Sequence, residues 1–215
     1  MIIKINNRED WLKARQSQGI GGSEAGCILG KNKYKTNVDL WQEKTGRKEQ
    51  PDLSNNSAVQ FGKFAEPLLR ELFKQDYPQY IVDYHEFDLY VNDTYPFIFA
   101  TLDGEITTTD GQRGILEIKT TTIQNKLQWD DWDNKIPESY YVQILHQLAA
   151  TRWDFAILKA YIRYYVDGEV RVTIRHYRIN REDVEADIEY LIQQECIFWR
   201  QVQNDEQPPL KLPTI

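Results

Sequence analysis

Residues 97–121, FIFATLDGEITTTDGQRGILEIKTT, predict the centre of the fold. Their two apolar and β-branched runs, FIFATLDGEIT and GILEIKTT, are separated by an Asp-Gly turn signal and therefore predict two successive strands. Asp103 falls at the end of the first run. Because side chains alternate between the two faces of a strand, Glu117 and Lys119 share one face of the second run. The stretch therefore predicts neighbouring strands that carry two acids and a lysine.

The patterns on either side predict helices around these strands. The run YIVDYHEFDLYV predicts a further strand, so that three strands follow one another. Helical spacing upstream predicts a long helix from 57 to about 76, which Pro67 should kink or divide into two. Downstream, the patterns predict a helix with Pro137 in its first turn, a β-hairpin across Asp167-Gly168, and a closing helix over 181–203.

The first fifty residues predict capped helices and a glycine-rich turn. Asn7 is a typical N-cap for a first helix that ends near Gln18, and Thr36 begins another capping box. The glycines over 19–22 predict a turn with free backbone amides, and we expect Ser23 to cap the helix that follows.

Composition restricts the class of protein. The chain has 215 residues, enough for one domain, and 26 Lys and Arg against 33 Asp and Glu give a net charge of −7. This balance argues against a protein that coats nucleic acid, but it allows a local basic groove. We expect Cys27 and Cys196 to be buried thiols, since their spacing fits neither a disulfide framework nor a zinc site. The charged start and the lack of a long apolar run favour a cytoplasmic protein.

The acids and the lysine suit phosphodiester hydrolysis. Carboxylates such as Asp103 and Glu117 can hold Mg²⁺, and a nearby lysine such as Lys119 can orient water or stabilise the phosphate. The acid-x-lysine motif alone is weak, because 33 acids and 14 lysines predict about two such triplets by chance. The chain has two, and the second, Asp133 to Lys135, lies in a polar stretch without strand periodicity.

Five stretches, taken together, carry a resemblance. They are WLKARQSQGIGGSEAGCILG, KYKTNVDLWQEKTG, FGKFAEPLLRELF, TLDGEI with GILEIKTT, and YYVQILHQLAAT. In order and spacing, over roughly residues 8 to 155, they resemble the YqaJ-like viral recombinases. That group includes the phage lambda exonuclease and belongs to the PD-(D/E)XK nuclease superfamily. The resemblance implies an α+β fold of the restriction-endonuclease type, with a central mixed β-sheet flanked by helices.

The resemblance also implies roles for individual residues. It implies that Asp103, Glu117 and the carbonyl of Ile118 bind the metal and that Lys119 is catalytic. It adds two residues on helices to the catalytic set, namely Glu66 and Gln143.

A separate group of residues would hold the 5′-phosphate of the digested strand. The resemblance places Arg15, Ser23 and Thr101 at this pocket. The physical chemistry agrees, because glycines let the backbone approach an anion and an arginine can grip it with two hydrogen bonds.

Each of these residues also has an ordinary structural interpretation. The acids and the lysine could form a surface salt-bridge cluster, Glu66 and Gln143 could be solvated helix positions, and Arg15 could be a surface arginine. His146 is three residues from Gln143, but we favour a partly buried, hydrogen-bonded imidazole over a role in the site.

Our leading hypothesis is a single nuclease domain over 1–215 that uses Mg²⁺, with Mn²⁺ as a substitute. Its N-terminal helices and phosphate-binding turn would span 1–50, its core 57–179 and its closing helix 181–205. The resemblance implies a 5′-to-3′ exonuclease on double-stranded DNA ends, a ring-shaped homotrimer, a phage-type single-strand annealing partner, and a phage or prophage origin in a bacterial cell. An endonuclease and a catalytically silent DNA-binding or partner-binding module remain as alternatives.

Overall fold

A computed structural model of the chain describes residues 1–213, with the side chains of residues 17 and 18 outside the description. The helices of this part are α1 Arg8–Gln18, α2 Gly22–Ile28, α3 Asn37–Lys44, α4 Ser57–Asp76, α5 Lys126–Asp130, α6 Glu138–Thr151 and α7 Glu185–Gln203. The strands are β1 Ile2–Ile3, β2 Ile20–Gly21, β3 Ile81–Asp83, β4 Leu89–Val91, β5 Ile98–Ala100, β6 Gly104–Thr107, β7 Arg113–Ile123, β8 Phe155–Val166 and β9 Glu169–Asn180.

The strands form two sheets. The larger has the order β3-β6-β7-β8-β9, in which β7 and β8 are parallel and the other pairs are antiparallel. The smaller has the order β1-β4-β5-β2, with β2 parallel to β5. Helices flank the strands, so the predicted α+β class with a central mixed β-sheet flanked by helices is confirmed, and a smaller second sheet accompanies it.

Helix α6 is the centre of the core. Most of its residues are buried, and it contacts α2, α7 and strands of both sheets. Leu145 and Leu148 belong to one apolar cluster with Ile98 of β5 and Leu158 of β8. A second cluster, on the other side of the larger sheet, packs Phe73 and its neighbours on α4 against β6, β7 and β8. The larger sheet is therefore covered by α6 on one face and by α4 on the other.

Two apolar runs that predicted single strands are each divided between the two sheets. YIVDYHEFDLYV contains β3 and β4, and FIFATLDGEIT contains β5 and β6. Asp103 therefore lies in the connection between β5 and β6, and the prediction that it ends a strand is wrong in this detail. The cause is tertiary, because β5 pairs with β2 and β4 whereas β6 pairs with β3 and β7.

Several helix ends differ from the prediction. The N-cap of α2 is Gly21, and Ser23 lies in the first turn, because Glu24 supplies the capping oxygen to the Gly21 N–H. Pro137 is the N-cap of α6 instead of a first-turn residue. Helix α4 continues through the exposed Pro67 as one element, so no second helix begins there. The caps at Asn7 and Thr36 are confirmed.

The glycine-rich segment contains a strand that the sequence did not predict. Gly19 has φ +149°, and a Cβ there would lie 2.1 Å from the Phe97 carbonyl oxygen. The Ile20 N–H donates to that carbonyl at 2.7 Å, and Ile20 and Gly21 form β2 beside β5. Glycine at 19 therefore lets the chain enter the smaller sheet before α2 begins.

The two cysteines are both free, as predicted, but differ in burial. Cys27 is buried, and burial raises the pKa of its thiol to about 12. Cys196 is only half-buried, so the expectation of two buried thiols holds for Cys27 alone. In the part of the chain that the structure describes, no helix has the length and apolar character needed to span a membrane.

His146 forms a buried ion pair between α6 and α7. Its Nδ1 lies 2.6 Å from Glu195 Oε1, its Nε2 lies 2.8 Å from the Phe99 carbonyl oxygen, and both side chains are fully buried. The Phe99 carbonyl and an ionised Glu195 both accept hydrogen bonds, so with Glu195 ionised both ring nitrogens carry a proton and the ring is an imidazolium. Burial lowers the pKa of His146, but the Glu195 charge and these hydrogen bonds outweigh it, and the pKa is raised. The structural interpretation of His146 is therefore confirmed.

We expect this ion pair to make stability fall at alkaline pH. The folded chain holds the His146 proton above the ordinary histidine pKa of about 6.5, whereas the unfolded chain releases it there. The stabilisation is therefore complete below about pH 6.5 and is lost as pH rises through the raised folded pKa, by up to about 1.4 kcal/mol per pH unit. Urea unfolding across this range measures the free energy of unfolding.

The matched pair of variants is His146→Gln and His85→Gln. His146→Gln should remove this part of the pH dependence. His85→Gln, which changes a half-exposed ring, should keep it. The same alkaline slope in His146→Gln as in the parent would contradict the assignment.

Candidate active site

The site lies where β6 separates from β7. The pairing of these strands ends at Gly104 and Leu116. Two residues further along β7, the Ile118 N–H has no partner on β6 and donates instead to Asp103 Oδ2 at 2.8 Å. The side chain of Asp103 thus supplies the acceptor that a neighbouring strand would otherwise provide. The hydrogen bond also places Asp103 next to Glu117 and Lys119, the residues on either side of Ile118.

Glu117 is held by three donors. Its side chain is almost fully buried, and its Oε1 lies 2.7 Å from Lys119 Nζ and 2.6 Å from Gln143 Nε2. Its Oε2 accepts from Gln147 Nε2 at 2.6 Å. Strand alternation brings Glu117 and Lys119 to the same face, as predicted, and α6 covers that face with two amide side chains.

The charges of the site act on one another. Burial raises the pKa of Asp103 well above its usual range, and the negative charges of Glu117 and Glu66 raise it further. For Lys119, burial lowers the pKa, but the charges of Glu117 and Asp103 outweigh this and the pKa is raised. Lys119 therefore carries a protonated ammonium group. The acids lie close enough to repel one another when ionised, and a bound cation would reduce this repulsion.

Glu66 reaches the site through an arginine that we did not predict. Arg70, one helical turn later on α4, lies 2.6 Å from Glu66 Oε1 and donates from Nε to the Asp103 carbonyl at 2.5 Å. Its guanidinium also lies 3.5 Å from the centroid of the Tyr84 ring. Burial raises the pKa of Glu66, and the Arg70 charge opposes this effect. The (i, i+4) spacing of an acid and an arginine was the available sequence signal.

The predicted metal ligands provide suitable oxygen atoms. Within residues 1–213, no three His, Cys, Asp or Glu side chains form a group that could hold a metal ion. The predicted ligand set, however, needs only the carboxylates of Asp103 and Glu117 and the carbonyl of Ile118. In a strand, the N–H and C=O of one residue point to the same side, so the Ile118 carbonyl points to the side of Asp103. Carboxylate and carbonyl oxygens suit Mg²⁺, and these residues fit the ion.

Two further side chains at the site escaped sequence reasoning. Lys119 Nζ lies 5.3 Å from the centroid of the Tyr140 ring, which covers the ammonium group. Gln147 donates to Glu117 one helical turn beyond Gln143. The repeated glutamine at an (i, i+4) spacing was a signal that these amides share one face of α6.

The three residues predicted to hold a phosphate lie on three different segments. The guanidinium of Arg15 on α1 lies 4.5 Å from the centroid of the Trp11 ring, and Glu24 is close enough to oppose the lowering of its pKa by burial. Ser23 is exposed at the start of α2, and Thr101 is half-buried two residues before Asp103. Among the described residues, no hydrogen bond joins any two of these three.

The start of α2 nevertheless lies next to Gln143, one of the residues predicted to be catalytic. A Cβ at Gly22 would lie 3.4 Å from Gln143 Cγ and 3.6 Å from Gln147 Cγ. The start of α2, where Ser23 lies, therefore packs against the part of α6 that carries the two amides bound to Glu117.

Comparison with known proteins gives one family and a related fold. The model of the YqaJ-like viral recombinase domain matches residues 10–154. The protein YqaJ of Bacillus subtilis (strain 168), whose function is not characterised, is 34% identical over 199 residues, which is 90% of this chain and 56% of that protein. The chain thus spans just over half the length of this relative.

Solved structures show the same fold. The crystal structure of an alkaline exonuclease (LHK-Exo) from Laribacter hongkongensis is 21% identical, with a TM-score of 0.66 over 92% of this chain and 94% of that one. LHK-Exo in complex with dAMP matches over the same shares, at 21% identity and a TM-score of 0.65.

We expect Arg70→Ala to lower the free energy of unfolding by about 3 kcal/mol, because Glu66 and the Asp103 carbonyl would lose a buried charged donor. Chemical denaturation measures this change. Lys74→Ala is the matched control on the same helix. Its ion pair with Glu71 is largely exposed, and its loss should cost no more than about 0.5 kcal/mol. Equal costs for both variants would show that Arg70 does not tie α4 to the site.

Proposed function

The chain belongs to the family of YqaJ-like viral recombinase domains, and from this premise we propose that it is a Mg²⁺-dependent deoxyribonuclease. The observation that carries the proposal is the cluster of Asp103, Glu117 and Lys119, whose charges act on one another at the end of the β6–β7 pairing. A surface salt-bridge cluster would be exposed, whereas the Glu117 side chain is 3% exposed and that of Lys119 is 22% exposed. Burying these charges costs stability, and a catalytic role would explain why charged residues occupy these buried positions.

The residues have distinct roles in this proposal. Asp103, Glu117 and the Ile118 carbonyl would hold Mg²⁺, for which Mn²⁺ could substitute. When bound, the ion would lower the pKa of a water molecule and neutralise charge on the phosphate. Lys119, protonated and held against Glu117, would donate hydrogen bonds that orient the attacking water and stabilise the phosphate oxygens.

Glu66 and Gln143 complete the catalytic set. Gln143 fixes Glu117 Oε1 beside Lys119. Glu66, paired with Arg70, adds negative charge on the α4 side of Asp103. Both residues thereby control the position or the charge of the acids that would hold the ion.

We further propose a 5′-to-3′ exonuclease that acts on double-stranded DNA ends and leaves 3′ single-stranded tails for recombination by strand annealing. Arg15, Ser23 and Thr101 would bind the terminal 5′-phosphate. The support is the position of Gly22, where a Cβ would lie 3.4 Å from Gln143 Cγ, so that the start of α2 lies beside the site. The fold shared with an alkaline exonuclease, also solved with dAMP, agrees with a deoxynucleotide product.

The proposal extends to the assembly. A ring-shaped homotrimer that encloses DNA would let a chain of net charge −7 hold a polyanion, because only the channel must be positive. A phage-type single-strand annealing protein would receive the 3′ tail, in the cytoplasm of a bacterial cell that carries the phage or prophage. Residues 1–50, 57–179 and 181–205 would act as phosphate-binding, core and closing segments of one nuclease domain.

Digestion of DNA tests the activity and separates the alternatives. A linear duplex labelled at each 5′ end and in its interior is incubated beside closed circular DNA, with Mg²⁺ or with EDTA. We expect metal-dependent shortening from the 5′ ends and an intact circle. Cutting of the circle would support an endonuclease instead, and no cleavage with any divalent metal would support a silent binding module.

The two acid-x-lysine triplets supply a matched pair of variants for the same assay. Lys119→Ala should lower the rate of cleavage by about a hundredfold or more, with folding unchanged. Lys135→Ala, in the other triplet, removes an exposed lysine and should cleave like the parent. Normal cleavage by Lys119→Ala would remove the lysine from the mechanism.

Arg15→Ala should lower the preference for 5′-phosphorylated over 5′-hydroxyl ends by about tenfold, the effect of losing a charged hydrogen bond. Rates on the two kinds of end measure the preference. Arg8→Ala, on the same helix but fully exposed, is the control and should keep it. If the parent digests both ends at equal rates, Arg15 does not read the phosphate.

A further inference from the structure

Gln147 is the second of two glutamines on α6 that bind the same carboxylate. It is 1% exposed, whereas Gln143, one turn earlier, is half-buried. Each amide nitrogen lies 2.6 Å from a different oxygen of Glu117. A buried position at the centre of a core helix ordinarily takes an apolar residue, so the amide at 147 requires an explanation.

The two oxygens of Glu117 have unequal environments. Oε1 is shared by Gln143 and Lys119, so either residue alone still holds it. Among the side chains that the structure describes, Oε2 accepts a hydrogen bond only from Gln147. Loss of this single donor would leave Oε2 without a hydrogen bond and the Glu117 carboxylate held at Oε1 alone.

The orientation of the Gln147 amide is fixed by this contact. An ionised carboxylate only accepts hydrogen bonds, so the amide nitrogen, and not the oxygen, must face Glu117. The oxygen, Gln147 Oε1, is buried and has no partner among the described residues. A buried acceptor without a partner destabilises a fold, so the fold alone does not account for a glutamine here.

The surroundings of Gln147 hold it in place. Its Cγ would lie 3.6 Å from a Cβ at Gly22, and its Nε2 lies 3.5 Å from the Thr101 carbonyl oxygen. Its own carbonyl accepts from Thr151 Oγ1 at 2.9 Å. The side chain is thus packed between α2, the β5–β6 connection and Glu117.

We infer that Gln147 is a positioning residue which anchors Glu117 Oε2 and thereby turns Glu117 Oε1 towards Lys119 and the metal-binding side of the site. The part of this inference that concerns cleavage rests on the proposed nuclease function. The part that concerns cation binding does not, because it needs only the carboxylate in its correct orientation.

Titration calorimetry with Ca²⁺ alone, in the absence of DNA, tests the cation-binding part. Gln147→Met keeps the length of the side chain and removes the donor, so Ca²⁺ should bind about tenfold more weakly than to the parent. Leu148→Met is the control, because it changes a fully buried neighbour on α6 and should leave Ca²⁺ affinity unchanged. If Gln147→Met does not fold, Gln147→Asn carries the test, since its shorter amide cannot reach Oε2.

Cleavage assays supply the second readout. In a folded Gln147 variant, the Mg²⁺ concentration for half-maximal cleavage should rise about tenfold and kcat should fall, with KM for DNA unchanged. Ca²⁺ affinity within twofold of the parent in the variant would overturn the inference, as would a parent that binds no divalent cation. A parent that binds Ca²⁺ but cleaves no DNA would refute the nuclease function, while calorimetry would still decide the role of Gln147.

Discussion

The hydrogen bond from the Ile118 N–H to Asp103 Oδ2 joins the two sheets at the site. The pairing of β6 with β7 ends at Gly104 and Leu116, so the next N–H of β7 on that side needs an acceptor. Asp103 supplies it from the connection through which the chain passes from the smaller sheet to the larger. The hydrogen bond that satisfies the Ile118 N–H therefore also places the Asp103 carboxylate beside Glu117. The other contacts of the site involve these two neighbouring acids.

Several partners offset the repulsion between these acids. Lys119 and the two amides of α6 bind Glu117, while Arg70 binds the Asp103 carbonyl and Glu66 together. The balance is incomplete, because the pKa of Asp103 remains well above its usual range. A raised carboxyl pKa beside a second buried acid is an arrangement that a bound cation would stabilise, because a positive charge favours the ionised carboxylates.

Local sequence patterns predicted the helices and strands that depend mainly on residues close together in the chain. Strand β7, the β8–β9 hairpin and the helix with Gln143 follow from periodicity and turn signals. The division of FIFATLDGEIT could not be predicted, because β-propensity does not determine which sheet a strand joins. Buried polar partners were missed for a related reason: Gln147 bonds a residue 30 positions away, and His146 one 49 positions away. Such pairs leave no periodic trace in a single sequence.

Helix α6 contributes both to the candidate site and to the buried ion pair of the core. Gln143 and Gln147 face Glu117, and His146 between them is held by Glu195 of α7 and the Phe99 carbonyl of β5. Gln143, His146 and Gln147 are spaced i, i+3 and i+4 and therefore share one face of the helix, next to Gly22 of α2. The ion pair of His146 thus holds the same face that presents the two amides to Glu117. The buried His146 ring and the Glu117 carboxylate are therefore joined through one face of α6. The orientation of Glu117 is consequently set by the core of the protein and not by mobile surface side chains.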